Sequence, residues 1–325
     1  MSTLLKVENL AVSFHTYASD VYAVRDVSFE IEEGKVTAIV GESGCGKSVT
    51  SKSIMGLIQK PGKIQKQSKI YFKGENILDY NAKQWQAYRG KHCSMVFQDA
   101  LTALNPTMSI GKQITEKILL HKKVSKKEAW EEGIRMLELV GIPNPETRMK
   151  QYPHEFSGGM RQRVMIAIAL TLHPELVIAD EPTTALDVTV QADVIDTMKQ
   201  IQEESGMTVI LITHDLGIVA NFANNIIVMY AGEVVETGTA DDIFYRAAHP
   251  YTRALLRAVP RLDASEEEEL ETIEGAPPNM ANPPAGCPFA ARCKECTERC
   301  KKEVPPVTEV AEGHKSKCWL CVEGA

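Results

Sequence analysis

Several short stretches of the chain carry residue types whose spacing suits the handling of a polyphosphate. The first is Gly41-Glu42-Ser43-Gly44-Cys45-Gly46-Lys47-Ser48, which fits the pattern G-x-x-x-x-G-K-S/T and is followed by Val49. Glycines in such a loop let backbone N–H groups turn inward around a phosphate. A helix opening at Lys47 adds its positive dipole end. Lys47 brings a point charge to the β- and γ-phosphates, and Ser48 offers a hydroxyl to Mg²⁺. The second stretch is Leu176-Val177-Ile178-Ala179-Asp180-Glu181, an apolar run that ends in two carboxylates. Asp180 suits Mg²⁺, directly or through a water, and Glu181 suits a general base aimed at an attacking water. Two single residues complete the set. His214 follows the apolar run Thr208–Thr213, where it could sense a γ-phosphate. Gln98 follows Ser94–Phe97, where it could ligate Mg²⁺ and report on it. Each has an ordinary reading when taken alone: a glycine turn, two solvated acids, a structural histidine, a surface amide. Their joint presence points to nucleotide chemistry.

These residues need elements to hold them. Thr37–Val40 reads as a short buried strand running into the glycine loop, with a helix from Lys47. Lys69–Phe72 and Cys93–Phe97 read as strands. From Asp99 to His173 the periodicity is helical, with amphipathic helices over Gly111–Leu120 and Lys126–Val140 and a buried one over Arg161–Leu172. Leu176–Ala179, Thr208–Thr213 and Ile226–Met229 are again buried strands, with a helix over Gln191–Ser205. Apolar strands alternating with helices predict an α/β fold whose parallel or mixed sheet is covered on both faces.

Composition narrows the class further. Hydrophobic residues make up 44% and charged residues 24% of the 325, the balance of a folded chain and not of a disordered one. The net charge of −7 argues against nucleic acid as a partner by bulk charge. The longest clean apolar run, Val164–Leu172, is half of the ~18 residues that a bilayer span needs. The start, MSTLLKVENL, lacks a basic stretch followed by an apolar one, so no signal peptide is read and a cytosolic location is expected. After Ala240 come a helical piece ending near Pro260, four consecutive glutamates within Ser265–Glu269, and a proline-rich connection over Pro277 to Pro284.

The ordered set over Leu5–Thr239 resembles the ATPases of ABC transporters. Phe156-Ser157-Gly158-Gly159-Met160-Arg161-Gln162-Arg163 is similar to their signature motif, with Phe156 and Met160 in place of the usual leucine and glutamine. Thr184-Ala185-Leu186-Asp187 resembles their D-loop. The resemblance implies a RecA-like phosphate-loop core with an antiparallel β-subdomain (1–97 and 176–240), an inserted helical subdomain (98–175) and a C-terminal extension (241–325). It also implies two ATP molecules sandwiched between two head-to-tail subunits. Ser157, a good N-cap, Gly158 and Gly159 would then meet the nucleotide of the opposite subunit. An adenine-stacking aromatic is expected upstream of the loop: Phe14, just after the first strand, with Tyr17 and Tyr22 as competitors.

The tail narrows the resemblance. His249-Pro250-Tyr251-Thr252, the proline-rich stretch and Gly286-Cys287-Pro288-Phe289 resemble the C-terminal extension of dipeptide and oligopeptide importer ATPases, some of which import nickel chelates. Six of the eight cysteines crowd the last 39 residues, and in a reducing compartment such crowding reads as a metal site before it reads as disulfides. The resemblance implies a 4Fe–4S cluster on Cys287, Cys293, Cys300 and Cys318. The tighter spacings leave a zinc alternative on Cys293, Cys296, Cys318 and Cys321. The basic residues Arg292, Lys294, Arg299, Lys301 and Lys302 would offset the charge of four thiolates, or form an ordinary solvated face.

The implied activity is ATP hydrolysis coupled to peptide import. The implied partners are a second ATPase subunit (a paralogue or a second copy), two membrane permeases that dock on the helical subdomain, and an extracytoplasmic binding protein. The implied location is peripheral, on the cytoplasmic face of the plasma membrane. Two other readings are weaker. A soluble ABC ATPase of the ribosome or DNA would usually carry two motif sets or a long coiled coil. A binding subunit with a dead site would lack some of Lys47, Asp180, Glu181 and His214.

Overall fold

The computed structural model describes residues 2–17, 19–184, 186–258 and 272–322. The acidic run of Ser265–Glu269 and Pro260 lie outside them. In chain order the strands are β1 (Thr3–His15), β2 (Asp20–Glu32), β3 (Val36–Val40), β4 (Gly62–Ile64), β5 (Lys69–Phe72), β6 (Glu75–Asn76) and β7 (Cys93–Val96). They continue with β8 (Leu176–Asp180), β9 (Thr208–Ile212), β10 (Asn225–Tyr230), β11 (Glu233–Thr239), β12 (Thr308–Ala311) and β13 (His314–Ser316). The chain divides into two compact units.

The first unit holds Met1–Ile31, Thr37–Leu78 and Thr213–Ala325. It contains an antiparallel sheet in the order β2-β1-β5-β6, with β4 also on β1. Along β1 the alternating buried apolar positions are Leu5 and Val7, then Leu10 and Val12, with Leu4 and Ser13 buried beside them; along β2 they are Val24, then Val27, Phe29 and Ile31. Each strand changes face at a residue with left-handed backbone, Asn9 (φ 48) and Asp26 (φ 50). The Asn9 N–H donates to Ser28 Oγ at 2.9 Å. Such a bulge keeps both apolar halves of a long strand on the core side. The same unit pairs β3 in parallel with β10, β10 antiparallel with β11, and β11 with β13 of the cysteine-rich tail. The tail hairpin β12–β13 thus extends a mixed sheet.

The second unit holds Glu32–Val36 and Asp79–Ile212. Its strands β7, β8 and β9 are parallel neighbours, with Cys93 beside Leu176 and Leu176 beside Thr208. All three are buried along their whole length, as expected for parallel strands covered on both faces. The helical insert supplies helices over Ile110–His121, Lys126–Leu139 and Gly158–Leu170, and Val188–Ser205 follows β8. Ser125 and Glu128 close a capping box at the start of Lys126–Leu139. Two of these helices start three residues earlier than apolar periodicity predicts. Gly158–Leu170 opens where Ser157 Oγ accepts the Met160 N–H at 3.3 Å. Val188–Ser205 opens where Asp187 Oδ1 accepts the Val190 N–H at 3.0 Å. Caps begin helices whatever the apolar pattern does. Among the described residues no helix is long and apolar enough to cross a membrane.

Candidate nucleotide site

The phosphate loop leaves the buried strand β3 and turns into the helix Lys47–Ile54. Two glycines make the turn possible. Gly41 (φ 149) lies so close to β10 that a Cβ would sit 2.1 Å from the Met229 carbonyl oxygen. Gly46 (φ 102) lies so close to β2 that a Cβ would sit 2.6 Å from the Ala23 carbonyl oxygen. The loop is therefore clamped by backbone on both sides, while Ser43 and Gly44 at its crest are exposed. Lys47 is only 4% exposed. Its Nζ donates to the carbonyls of Gly41 at 2.7 Å and Glu42 at 3.1 Å. The charge is thus already drawn across the loop. Cys45 is buried and Ser48 and Val49 half-buried. A cavity of about 220 Å³ opens beside the crest, walled by Glu42 to Cys45, Tyr230, Ala231, Pro277, Pro278 and Met280.

Glu42 is held by two residues from far along the chain. Its N–H donates to Tyr251 Oη at 2.9 Å. Its carboxylate takes a two-pronged ion pair from Arg292, at 2.7 and 3.0 Å. His214 in the same unit is exposed just after Thr213, and Asp215 beside it caps the helix Leu216–Phe222.

Of the aromatic candidates, Phe14 lies inside β1, not after it. It is paired with Gly62 of β4, and its ring covers that glycine so closely that a Cβ there would lie 2.7 Å from Cε1. Tyr17 is fully exposed. Tyr22 is 41% exposed on β2, next to the Ala23 carbonyl that touches Gly46.

In the second unit Asp180 ends β8 and is 4% exposed. Glu181 follows with left-handed backbone (φ 47), its N–H donating to the Ile212 carbonyl at 2.9 Å. A non-glycine residue in that region costs of order 1 kcal/mol, a cost met at functional turns. The conformation aims the Glu181 carboxylate at two donors on one oxygen, Gln98 Nε2 at 2.9 Å and Thr184 Oγ1 at 3.0 Å. Gln98 and Glu181 were expected in one site, and the structure puts them in contact. Thr184, read from the sequence only as the start of the D-loop, also belongs to this contact three residues on. Gln98 donates through its nitrogen, so its oxygen, with the Asp180 carboxylate, is the hard donor type that Mg²⁺ takes. Ser157 and Gly158 are exposed, and Gly159 meets the next helix so tightly that a Cβ would lie 2.3 Å from Val190 Cγ1. The signature thus packs against the first turn of the helix Val188–Ser205.

The tail cysteines behave differently from the expectation. Cys287, Cys293, Cys300 and Cys318 all line one small cavity of about 10 Å³, with His249, Phe289 and Trp319. Cys296 and Cys321 are not part of that wall. All six are free thiols. Burial pushes Cys287 up to about 11 and raises Cys293, which favours the neutral thiol. Among the described residues no group of three or more His, Cys, Asp or Glu side chains is arranged to hold a metal ion. The structure therefore brings the four iron–sulfur candidates to one cavity wall. The basic neighbours also need correction. Arg292, side chain 6% exposed, is no solvated face and points to Glu42. Arg299 lies over the Trp319 ring, 3.5 Å from its centre, and Lys301 pairs with Glu298 at the surface.

A strand–glycine loop–helix with a lysine drawn across the loop, a serine-capped glycine corner and a glutamate at the end of a buried strand are the parts of an ATP-binding cassette of the ABC type. Comparison agrees: residues 24–184 match the ABC transporter family and residues 235–300 the oligopeptide/dipeptide transporter C-terminal region. The chain is 52% identical over 320 residues to the oligopeptide transport ATP-binding protein OppD of Bacillus subtilis, covering 98% of this chain and 89% of that one. It is 48% identical over 320 residues to OppD of Escherichia coli, covering 98% and 94%. A solved dimeric ATP-binding cassette in a post-hydrolysis state with ADP and Pi superimposes with a TM-score of 0.65 at 26% identity, covering 73% of this chain and 98% of that one. The chain belongs to the family of oligopeptide and dipeptide transport ATP-binding proteins.

Proposed function

We propose that the chain hydrolyses ATP to power the import of dipeptides or oligopeptides. It would act peripherally at the cytoplasmic face of the plasma membrane, on two permease subunits, with an extracytoplasmic binding protein that selects the peptide. The observation that carries the catalytic part is the Glu181 carboxylate, held between Gln98 and Thr184 at the end of a buried strand.

In this reading Lys47 and the amides of Gly41 to Val49 hold the phosphates. Ser48, Asp180 and Gln98 would hold Mg²⁺, which supplies charge neutralisation at the phosphates when bound. Glu181 accepts the proton of the attacking water, and His214 contacts the γ-phosphate. Ser157, Gly158 and Gly159 present a helix start to the nucleotide of a second ATPase subunit, paralogue or copy, with Asp187 at the same corner. Tyr22 is favoured over Phe14 as the adenine platform, because Tyr22 is exposed next to the residue whose carbonyl touches Gly46 and Phe14 is spent on Gly62. Glu181→Gln should slow hydrolysis about 10²- to 10⁴-fold and leave ATP binding intact. Hydrolysis at the normal rate would remove Glu181 from the mechanism.

We further propose Cys287, Cys293, Cys300 and Cys318 as thiolate ligands of a 4Fe–4S cluster. The shared cavity wall supports the choice of these four, and thiolates suit such a group. Protein purified without oxygen should then be brown and carry about four irons per chain. Colourless protein containing zinc would overturn the assignment.

A further inference from the structure

The contact between Glu42 and Arg292 joins the crest of the phosphate loop to the cysteine-rich tail, 250 positions away. Arg292 is built in with full use of its donors. Nη1 donates to Glu42 Oε2 at 2.7 Å and to Tyr230 Oη at 3.1 Å. Nη2 donates to Glu42 Oε1 at 3.0 Å and to the Ile273 carbonyl at 3.0 Å. Nε donates to the Glu274 carbonyl at 3.0 Å. A guanidinium has five N–H groups, and here all five have acceptors. The side chain is 6% exposed and that of Glu42 is 23% exposed, so water screens the pair poorly.

Glu42 is a carboxylate on a loop whose work is to gather anionic phosphates. Left unpaired, it would repel them across a few ångströms of poorly screened space. Paired with Arg292, it is neutralised and its direction is set, and the Tyr251 hydroxyl anchors the same residue by its N–H. We propose that Arg292 is a positioning residue of the ATP site: it cancels the charge of Glu42 and holds the loop open toward phosphate, so that nucleotide affinity depends on the seating of the cysteine-rich tail. The inference rests on the phosphate loop being the ATP site, as proposed above. By linkage, what loosens the segment around Cys293 weakens ATP binding, and bound ATP steadies that segment.

The test is a charge cycle on the intact chain in its transporter complex, reading KM for ATP against kcat, with binding of TNP-ATP as a second measure. Arg292→Gln leaves Glu42 charged and alone, and should raise KM about tenfold with kcat within about twofold. Arg292→Lys keeps the charge without the fork, and should raise it by about threefold. The double variant Glu42→Gln with Arg292→Gln removes both charges, and should recover most of the lost affinity. A circular-dichroism melt checks that the variants are folded. Recovery in the double variant supports the inference, because a purely structural role predicts a double variant no better than Arg292→Gln. That latter result overturns it, as does a KM for Arg292→Gln within twofold of the unaltered protein. If the unaltered protein itself fails to bind TNP-ATP or ATP, the nucleotide-site reading falls, and this inference with it.

Discussion

The phosphate loop and the cysteine-rich tail lie in the same unit and are held by different means. The loop is held by backbone: it leaves a wholly buried strand, and two glycines press against the carbonyls of Met229 and Ala23. The tail between 272 and 322 is mostly exposed and has short elements. It is held by a few side chains. Phe289 packs on Tyr230 and Tyr251, with ring centres 5.3 Å apart in both cases. Arg292 reaches Glu42, and His314 reaches the buried Glu236 at 2.8 Å. A site that must keep amides in fixed directions is best built on ladders and close backbone contact. A small appendage with little core relies on a handful of anchors, each of which matters more.

That contrast can be broken at its strongest point first. Gly41→Ala places a methyl 2.1 Å from the Met229 carbonyl oxygen, and backbone cannot yield as a side chain can. ATP binding, read by TNP-ATP titration, should fall by about a hundredfold or more, since misplacement of about 1 Å already costs that much in a positioned site. Binding within a few-fold of normal would mean the clamp is softer than it looks. On the tail side, Phe289→Ala removes a ring that is 2% exposed and should cost about 3–5 kcal/mol. In metal-free protein its local mark is faster alkylation of Cys287, now 8% exposed. An unchanged alkylation rate would show that Phe289 is not an anchor.

A pH effect comes next in size. Burial, with some help from Arg253, lowers His249 to about 3 from its ordinary 6.5. The folded chain keeps this residue neutral while the unfolded chain takes up a proton below about 6.5. Stability is therefore complete above that pH and falls as pH drops from 6.5 toward 3, by about 2 kcal/mol at pH 5. His249 caps the helix Pro250–Arg257, which carries Tyr251. Replacing His249 by Asn, a capping residue that does not titrate, should flatten the thermal-melt profile between pH 7 and 5. An equal slope in both proteins would remove His249 as the cause. The smallest effect belongs to Ser157→Ala, which removes a cap on an exposed helix start and should lower stability by about 1 kcal/mol. ATPase activity should drop further than that loss explains if Ser157 also meets a partner's nucleotide.

Much of the core was legible before folding was considered, because its signals are local. Strands such as Leu176–Asp180 announce themselves as unbroken apolar runs. The loop pattern carries its own reason in glycine backbone and lysine charge. Strands β1 and β2 were harder to read, because Asn9 and Asp26 shift the apolar phase by one residue halfway along. The starts of the helices at Gly158 and Val188 were misplaced because Ser157 and Asp187 set them as caps, and periodicity does not register a cap.

The sequence alone determined the chemistry on offer: a glycine loop with Lys47 and Ser48, paired acids at 180 and 181, a glutamine, a serine–glycine corner and a crowd of thiols. Only the tertiary structure decided which of these meet. It put Gln98 and Thr184 on one oxygen of Glu181, left Tyr22 exposed one residue before the Ala23 carbonyl that presses on Gly46 while Phe14 covers Gly62, and gave four of six thiols a common wall. It also turned Arg292 from a neighbour of cysteines into the counter-ion of Glu42. The reason is physical: residue type and short-range spacing specify what a group can do, whereas contacts across hundreds of positions exist only once burial has chosen how the chain closes on itself.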